Sequence, residues 1–517
     1  MKLNYKKTLF VGFAFFLICT FWQAYDTIIP KILTDKFGMS QFASGIIMAI
    51  DNVLALFLLP LFGTLSDKHN GKRGKRTPFI LVGTVLAAVL FVSLSFVDNA
   101  QLKKIEAVST VDDEKALVTL YRSDAADDLI LEKYITENGE ARTEEGTVQT
   151  LFTEEEFKAI RSDDGSGNYT SCVVPLRQAY AKDATSAAPS ALILFIVLLL
   201  FTLVSMGIFR SPAVALMPDV TPKPLRSKAN AIINLMGAVG GIVVLGLGIV
   251  LGTGKAKNAL MSYTPFFAIV AGIMLVCLIV FRLKVNEPKL VAEMEEESRA
   301  LGVLEENSTQ NGAKKLSRAE YLSLALILAS VVLWFMGYNA VTSKYSVYAG
   351  SVLGLDYNAT LIIAQAAAIV SYIPIGFVSA RFGRRKTILA GILMLGTAFF
   401  FASFMREGSS IIVMDILFAL AGIGWATISV NSYPMVVELS VGSNVGKYTG
   451  FYYTASMAAQ TLTPMLSGLF MDSIDLKILF PYATVFVGLA FVTMFFVRHG
   501  DSKPAPSRSV LEQFDVE

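Results

Sequence analysis

LFVGFAFFLIC followed directly by TFWQAYDTIIPK, Leu9 to Lys31, is an apolar run that ends in a polar, aromatic turn. A bilayer core about 30 Å thick needs roughly 20 apolar residues per helix, so the run is long enough to span one. It lacks the small-residue cleavage pattern of a secretory leader, and further runs of the same kind follow it. Of the 517 residues 54% are hydrophobic and 17% charged, a balance that excludes an ordinary soluble domain. The spans read as 8–32, 42–65, 78–97, 188–216, 228–252, 262–283, 319–343, 356–379, 387–404, 410–433, 449–471 and 478–497. No alternating strand pattern competes with them, and open sheet edges are too costly in lipid. The fold class is an all-α membrane protein with twelve transmembrane helices.

The basic loops KHNGKRGKR (68–76), KPLRSK (223–228) and RFGRRK (381–386) fall on alternate connections and therefore share one side with both termini. Lys and Arg enrichment marks that side as cytoplasmic, which places the chain as a multi-pass protein of the plasma membrane. The net charge of +2 is spread over these loops, so no nucleic-acid surface is expected. Cys19 and Cys277 lie in spans and Cys172 outside them, which argues against a disulfide framework. Two histidines, His69 and His499, lie in or near cytoplasmic segments. No metal site, cofactor or Ser-His constellation is expected at membrane depth, and an enzyme is disfavoured.

Two polar segments interrupt the spans. An outer insert, 98–187, has nineteen acidic against ten basic residues and is either a disordered segment or a small folded cap, the latter favoured by its stretches LVTLYR and LILEKYI. A cytoplasmic linker, 284–318, includes VAEMEEESRALGVLEE and reads as an acidic surface helix. The chain thus divides into a first bundle (1–283), the linker, a second bundle (319–500) and a cytoplasmic tail (501–517).

The two bundles look like copies of one another. An offset of 313 pairs Tyr25 with Tyr338, Asp26 with Asn339, Lys31 with Lys344 and Gly63 with Gly376. Beyond the outer insert the offset becomes 219, which aligns MPDVTPKPLRSKANA (217–231) with VVELSVGSNVGKYTG (436–450). Asp219 then matches Glu438, and Lys228 matches Lys447. Duplicated bundles of this kind place the substrate site at the interface between them.

GTLSDKHNGKRGKRTP (63–78) resembles the signature between the second and third helices of the major facilitator superfamily, and the resemblance extends over essentially every span. LLPLFGTLSDK with RGKRTPFIL, RSPAVALMPD and RSKANA is similar to the sucrose-type members and the glycoside–pentoside–hexuronide cation symporters. The resemblance implies two pseudo-symmetric six-helix bundles, alternating access, and a cytoplasmic gate built from Gly63, Asp67, Arg73, Gly74, Arg76, Asp219, Arg226, Arg384, Arg385 and Glu438. Asp67 and Arg76 are expected to pair, or to cap a helix across the interface and so latch the halves. The pattern also departs from the family. Ala380 stands where the second half's signature aspartate would be, and TLVSMGIFRSP (202–212) lacks the fourth-helix carboxylate of plant-type sucrose carriers.

An ionisable group at membrane depth is costly unless paired or hydrated, so Asp26, Asp51 and Arg210 carry a functional expectation. Arg210 cannot readily discharge and needs a carboxylate or a polar substrate beside it. Asp26 and Asp51 are candidates for ion coupling, with H+ or Na+ as the cation. Trp22, Gln23 and Tyr25 share one region of the first helix with Asp26, and Trp334, Tyr338 and Asn339 repeat the arrangement in the seventh. Aromatic faces beside amides suit a sugar, whose C–H faces stack while its hydroxyls take directional hydrogen bonds. Arg210, Asn431, Tyr452 and Gln460 complete the expected contacts, with Asn52 and Gln365 as further polar residues in spans; each of Asn52, Gln365, Asn431, Tyr452 and Gln460 is equally suited to joining helices.

The function expected from these residues is cation-coupled movement of a di- or oligosaccharide or glycoside. Its partners are the small-molecule sugar and the lipid bilayer, with no obligate protein partner. Two alternatives stay open: an uncoupled facilitator or exporter of another polar solute, and a non-transporting sensor that uses the outer insert.

Overall fold

The computed structural model describes residues 4–105, 174–222, 226–300, 317–439 and 445–499. Among them are fourteen α-helices. The first bundle comprises α1 (Tyr5–Lys31), α2 (Gln41–Lys68), α3 (Thr77–Lys104), α5 (Ser190–Asp219), α6 (Arg226–Leu251) and α7 (Thr264–Lys284). The second comprises α9 (Arg318–Tyr348), α10 (Tyr357–Phe382), α11 (Arg384–Ala402), α12 (Ile411–Glu438), α13 (Val445–Ser473) and α14 (Leu479–Phe495). Of the two remaining helices, α4 (Val174–Ala187) closes the outer insert and α8 (Glu287–Ala300) occupies the linker. The insert residues 106–173, on which the cap was expected, and linker residues 301–316 lie outside the described residues, as does the tail.

These helices follow the apolar runs because each 20-residue run must satisfy its backbone internally. Ten described spans are long and apolar enough to cross a membrane, and Tyr357–Tyr372 is a shorter apolar stretch within α10. Side-chain caps mark several starts: Asn4 accepts from the Lys7 amide, Ser40 from Ala43 and Asp356 from Asn358. Ser317 and Glu320 form a reciprocal capping box at the head of α9. The structure lengthens α3 to Lys104, past the predicted end at 97, because Asp98 and Gln101 are buried by partners rather than facing water.

The duplication is visible in backbone detail. α1 continues into a π-helical turn, Ile32–Lys36, and α9 into another, Ala349–Leu353. Gly38 and Gly354, each at φ +63°, follow these turns and redirect the chain into the second helix of each half. Across the halves, α2 packs on α13 and α6 on α10, the same pair of elements exchanged, with α1 against α9. At the α2–α13 crossing a Cβ on Gly45 would come within 2.0 Å of the Pro464 carbonyl, and one on Gly468 within 2.3 Å of that of Gln41.

Reciprocal polar contacts close the end of the bundle remote from both termini. Asp472 of α13 accepts from the Gln41 and Phe42 amides at 2.7 and 2.6 Å, and Lys344 of α9 donates to the Gln41 carbonyl at 2.6 Å. On the other side of the pseudo-twofold, Thr253 meets the Tyr357 hydroxyl at 3.1 Å and the Asn358 amide at 3.3 Å. Lys31 donates to the Thr253 carbonyl at 3.0 Å, its ammonium 5.5 Å from the Tyr357 ring centre.

Candidate functional site

Charge enters the middle of the first bundle from three helices. α1 supplies Trp22, Gln23, Tyr25 and Asp26, α2 supplies Asp51, and α5 supplies Arg210. The Arg210 guanidinium lies 5.2 Å from the Trp22 ring centre, a cation–π contact, and Tyr25 packs edge-on against the same indole at 5.3 Å. Asn52 donates to Asp51 at 2.8 Å. Trp22, Asp51, Leu203, Gly207 and Arg210 line one shallow recess. Gly207 lets α5 approach α2 there, since a Cβ would come within 2.9 Å of Leu58. Asp26, Asp51 and Arg210 act on one another electrostatically, yet none of them joins an ion pair within 4.0 Å among the described residues. Two carboxylates and one guanidinium in this region give a small cation or a proton a place to bind.

The second bundle answers with aromatic and amide groups. Tyr338 stacks on Trp425 at 3.7 Å with the rings 4° from parallel, and Phe335 packs edge-on against Trp425 at 5.2 Å. Gln365 of α10 donates to the Gln23 carboxamide oxygen at 2.5 Å, so the halves touch at this level as well. The Trp22 indole nitrogen, the Tyr25 hydroxyl and the Asn339 amide nitrogen are buried without a hydrogen-bond partner among the described residues. Buried donors are rarely left unpaired, and here each belongs to a cluster read as substrate-binding.

Four expected contacts have other employment. Trp334 is completely buried in the core of the second bundle. It sits one turn from Gly337, where α9 approaches α14 so closely that a Cβ would come within 2.6 Å of Val487. Asn431 is buried, accepts from Ser379 of α10 and donates to the Thr427 carbonyl at 2.9 Å, which joins α10 to α12. The Tyr452 hydroxyl meets Ser432 at 2.9 Å, and Gln460 turns back to the Ser456 carbonyl of its own helix at 3.3 Å. These are helix-joining and helix-internal bonds. Trp425, conversely, was missed: it is the one tryptophan outside the two first helices, in AGIGWATISV (421–430), and small residues around a span tryptophan are the signal that marks it.

The other end, where α1 begins and α14 ends, carries the basic cluster. Arg76 bonds Asp67 at 2.5 Å, Asp219 at 2.8 Å and Ser66 at 2.5 Å, and reaches the Gly63 carbonyl at 3.4 Å. The expected Asp67–Arg76 pair is present, and among the described residues its partners come from the first bundle, so the network ties α2, α3 and α5. The carboxylate at a helix N-terminus is Glu287, which sequence reasoning did not single out. It accepts from the Lys75, Arg76 and Thr77 amides at 2.7 to 3.1 Å and from the Thr77 hydroxyl at 2.7 Å. Coming directly after α7, it is the carboxylate that the chain delivers to the head of α3. Gly74, at φ +98°, lies against it, and a Cβ there would come within 2.3 Å of the Glu287 carboxyl. Arg73 is exposed; Arg384 is buried; Arg385 donates to the Phe495 carbonyl within the second bundle. The side chains of Arg226 and Glu438 lie outside the described residues. Glu287→Ala strips the acceptor from three amides at the head of α3 and is expected to cost about 1–2 kcal/mol, the scale of a lost N-cap. A lower melting temperature with faster tryptic cleavage in the 68–76 loop checks this; an unchanged pattern would show that water replaces the carboxylate without loss.

A family model described as Major Facilitator Superfamily matches residues 184–371 and 359–514, and one described as MFS/sugar transport protein matches 11–107. The fold is similar to the inward-open xylose transporter XylE from E. coli, at 13% identity with 99% of each chain covered and a TM-score of 0.56. It is also similar to a D-xylose-proton symporter (14% identity, 96% of this chain and 99% of that one, TM-score 0.52) and to the nucleoside transporter NupG (10%, 95% and 99%, 0.52). No curated protein gives a significant match. Twelve helices in two related bundles, with family models matched across both of them, make this chain a member of the major facilitator superfamily, a secondary transporter rather than an enzyme.

Proposed function

We propose that the chain moves a sugar, a di- or oligosaccharide or glycoside, across the plasma membrane by alternating access coupled to H+ or Na+. The carrying observation is the uncompensated Asp26–Asp51–Arg210 group, set beside the unpartnered Trp22, Tyr25 and Asn339 donors at the level where the halves meet. Cation binding at Asp26 or Asp51 neutralises the excess charge, and the substrate's hydroxyls satisfy the stranded donors. The Tyr338–Trp425 stack offers an apolar face to the sugar's C–H surface. The inward-facing reading, with both termini in the cytoplasm, is supported by the polar contacts at the far end and by the basic loops at the other.

Asp26→Asn removes the titratable charge while keeping the shape. Uphill accumulation driven by an imposed pH or sodium gradient in proteoliposomes is expected to fall at least tenfold, whereas counterflow without a gradient persists. Equal uphill uptake by variant and wild type would show that Asp26 does not couple transport. Counterflow with a panel of sugars, nucleosides and peptides tests the substrate class itself.

A further inference from the structure

The Gln23–Gln365 bond stands apart from the other contacts between the halves. It lies eight residues below Lys31 on α1 and eight beyond Tyr357 on α10, so each amide is about 12 Å from the far-end seal at 1.5 Å per residue. That depth is the level of Trp22, Asp26 and Tyr338. Both glutamines are partly buried, and beyond the bond that joins them neither side chain has a hydrogen bond to another described residue. Each amide can make several hydrogen bonds, so the pair uses one donor and one acceptor and leaves the rest uncommitted.

The pair also has a place made for it. A Cβ on Gly241 of α6 would stand 2.9 Å from the Gln365 carboxamide oxygen and 3.3 Å from that of Gln23. Residue 241 is therefore the wall against which the two amides rest, and the missing side chain leaves them room. Three helices, α1, α6 and α10, converge there from both halves.

Resting on the sugar-transport reading above, we propose that Gln23 and Gln365 form a clasp that the substrate displaces: two neighbouring hydroxyls of the sugar take over the amide–amide bond. One hydroxyl donates to the Gln23 oxygen and its neighbour accepts from the Gln365 nitrogen, so the donor and acceptor given up in the empty site are both recovered in the loaded one. The chemistry required is a vicinal diol, which a sugar has and a monofunctional solute lacks. Because the two amides belong to opposite halves, a bridging diol spans the interface and transmits occupancy to the movement of one half against the other. Gln365 is thus a specificity-determining residue, and Gly241 a positioning residue that acts through the pair.

The test pairs protein variants with substrate variants. Counterflow first selects the best-transported sugar among glucose, sucrose, maltose and melibiose; failure of all four overturns the sugar reading itself and this inference with it. The monodeoxy analogues of the selected sugar are then compared in wild type, Gln365→Leu and Gly241→Ala proteoliposomes. In wild type, deleting either of two adjacent hydroxyls is expected to raise KM at least tenfold. In Gln365→Leu the parent sugar's KM rises by a similar factor, and deletion of the hydroxyl that pairs with residue 365 has no further effect. Gly241→Ala, which leaves both amides chemically intact, raises KM for the parent sugar while kcat changes less than threefold. If every deoxy analogue loses the same factor in wild type and in Gln365→Leu while parent transport continues, the amides only join helices and the clasp is wrong, with sugar transport itself left standing.

Discussion

Lys36→Met is expected to unfold the first bundle more readily than any other single substitution considered for this chain, at a cost of about 3–5 kcal/mol. The Lys36 ammonium bonds both Asp98 oxygens at 2.7 and 2.8 Å and the Met261 carbonyl at 2.7 Å, and it lies 4.3 Å from the Tyr263 ring centre. All three ammonium protons are therefore used, and both side chains of the pair are fully inaccessible to solvent. Methionine fills much the same volume but abandons a carboxylate in a place water does not reach. The pair also organises its surroundings: Gln101 bonds the Lys36 carbonyl at 2.9 Å and Thr185 of α4 at 3.0 Å, which joins the end of the outer insert to the π-helical turn after α1. The double variant Lys36→Met/Asp98→Leu removes both charges and is expected to recover most of the loss, since replacing a buried pair by apolar groups is often close to neutral. Thermal unfolding in detergent of variants in a Cys172→Ser background, followed with a thiol-reactive dye that reports exposure of Cys19 and Cys277, separates the cases. A single variant that melts with wild type would mean that Asp98 finds another partner or a proton.

That pair was not foreseeable from the sequence, although the fold was. Runs of some 20 apolar residues give span positions directly, because nothing else satisfies backbone groups in lipid. The duplication was legible too: the offset that pairs Lys31 with Lys344 also brings the two π-helical turns into correspondence within four residues. Asp26, Asp51 and Arg210 stood out in the sequence as ionisable groups within spans, and Asp51 and Arg210 line one recess in the structure. What sequence does not give is which face of a span meets which neighbour. In a soluble helix the apolar stripe marks the inward face, but in a span both lipid and core faces are apolar. Trp334 was therefore assigned to the cavity when it belongs to the core, and Trp425, which stacks on Tyr338, was passed over. Asn431 and Tyr452 suited substrate contact and helix joining equally in the sequence, because their partners Ser379 and Ser432 are remote along the chain. Glu287 was hidden for another reason: its role as a helix cap depends on where the chain turns after α7, and no local pattern encodes that.

Lys344→Met is expected to shift the balance between the two access states by roughly 10- to 100-fold, because the ammonium is the side chain of α9 that reaches into the first bundle at the sealed end. Its bond to the Gln41 carbonyl is charge-assisted and buried, a class that contributes about 1.5–3 kcal/mol. Asp472 strengthens it electrostatically from α13 and caps the same turn of α2 through the Gln41 and Phe42 amides. The repeat supplies a control within the same molecule. Lys31 and Thr253 correspond to Lys344 and Asp472 at the offsets 313 and 219, but Thr253 carries no charge, and the Lys31 bond to its carbonyl stays inside the first bundle. What crosses the interface from Lys31 is the contact with the Tyr357 ring at 5.5 Å, so Lys31→Met should move the balance less than Lys344→Met even though the two positions are equivalent by descent. Labelling of Ser346→Cys by a membrane-impermeant maleimide, in a background lacking the native cysteines, reads the opening, because Ser346 is buried while the seal is closed. The rate is expected to rise about tenfold or more with Lys344→Met and only slightly with Lys31→Met, since each tenfold corresponds to about 1.4 kcal/mol. Equal labelling in the two variants would mean that both lysines merely fill space, and that the seal rests on the Gly45 and Gly468 backbone crossings instead.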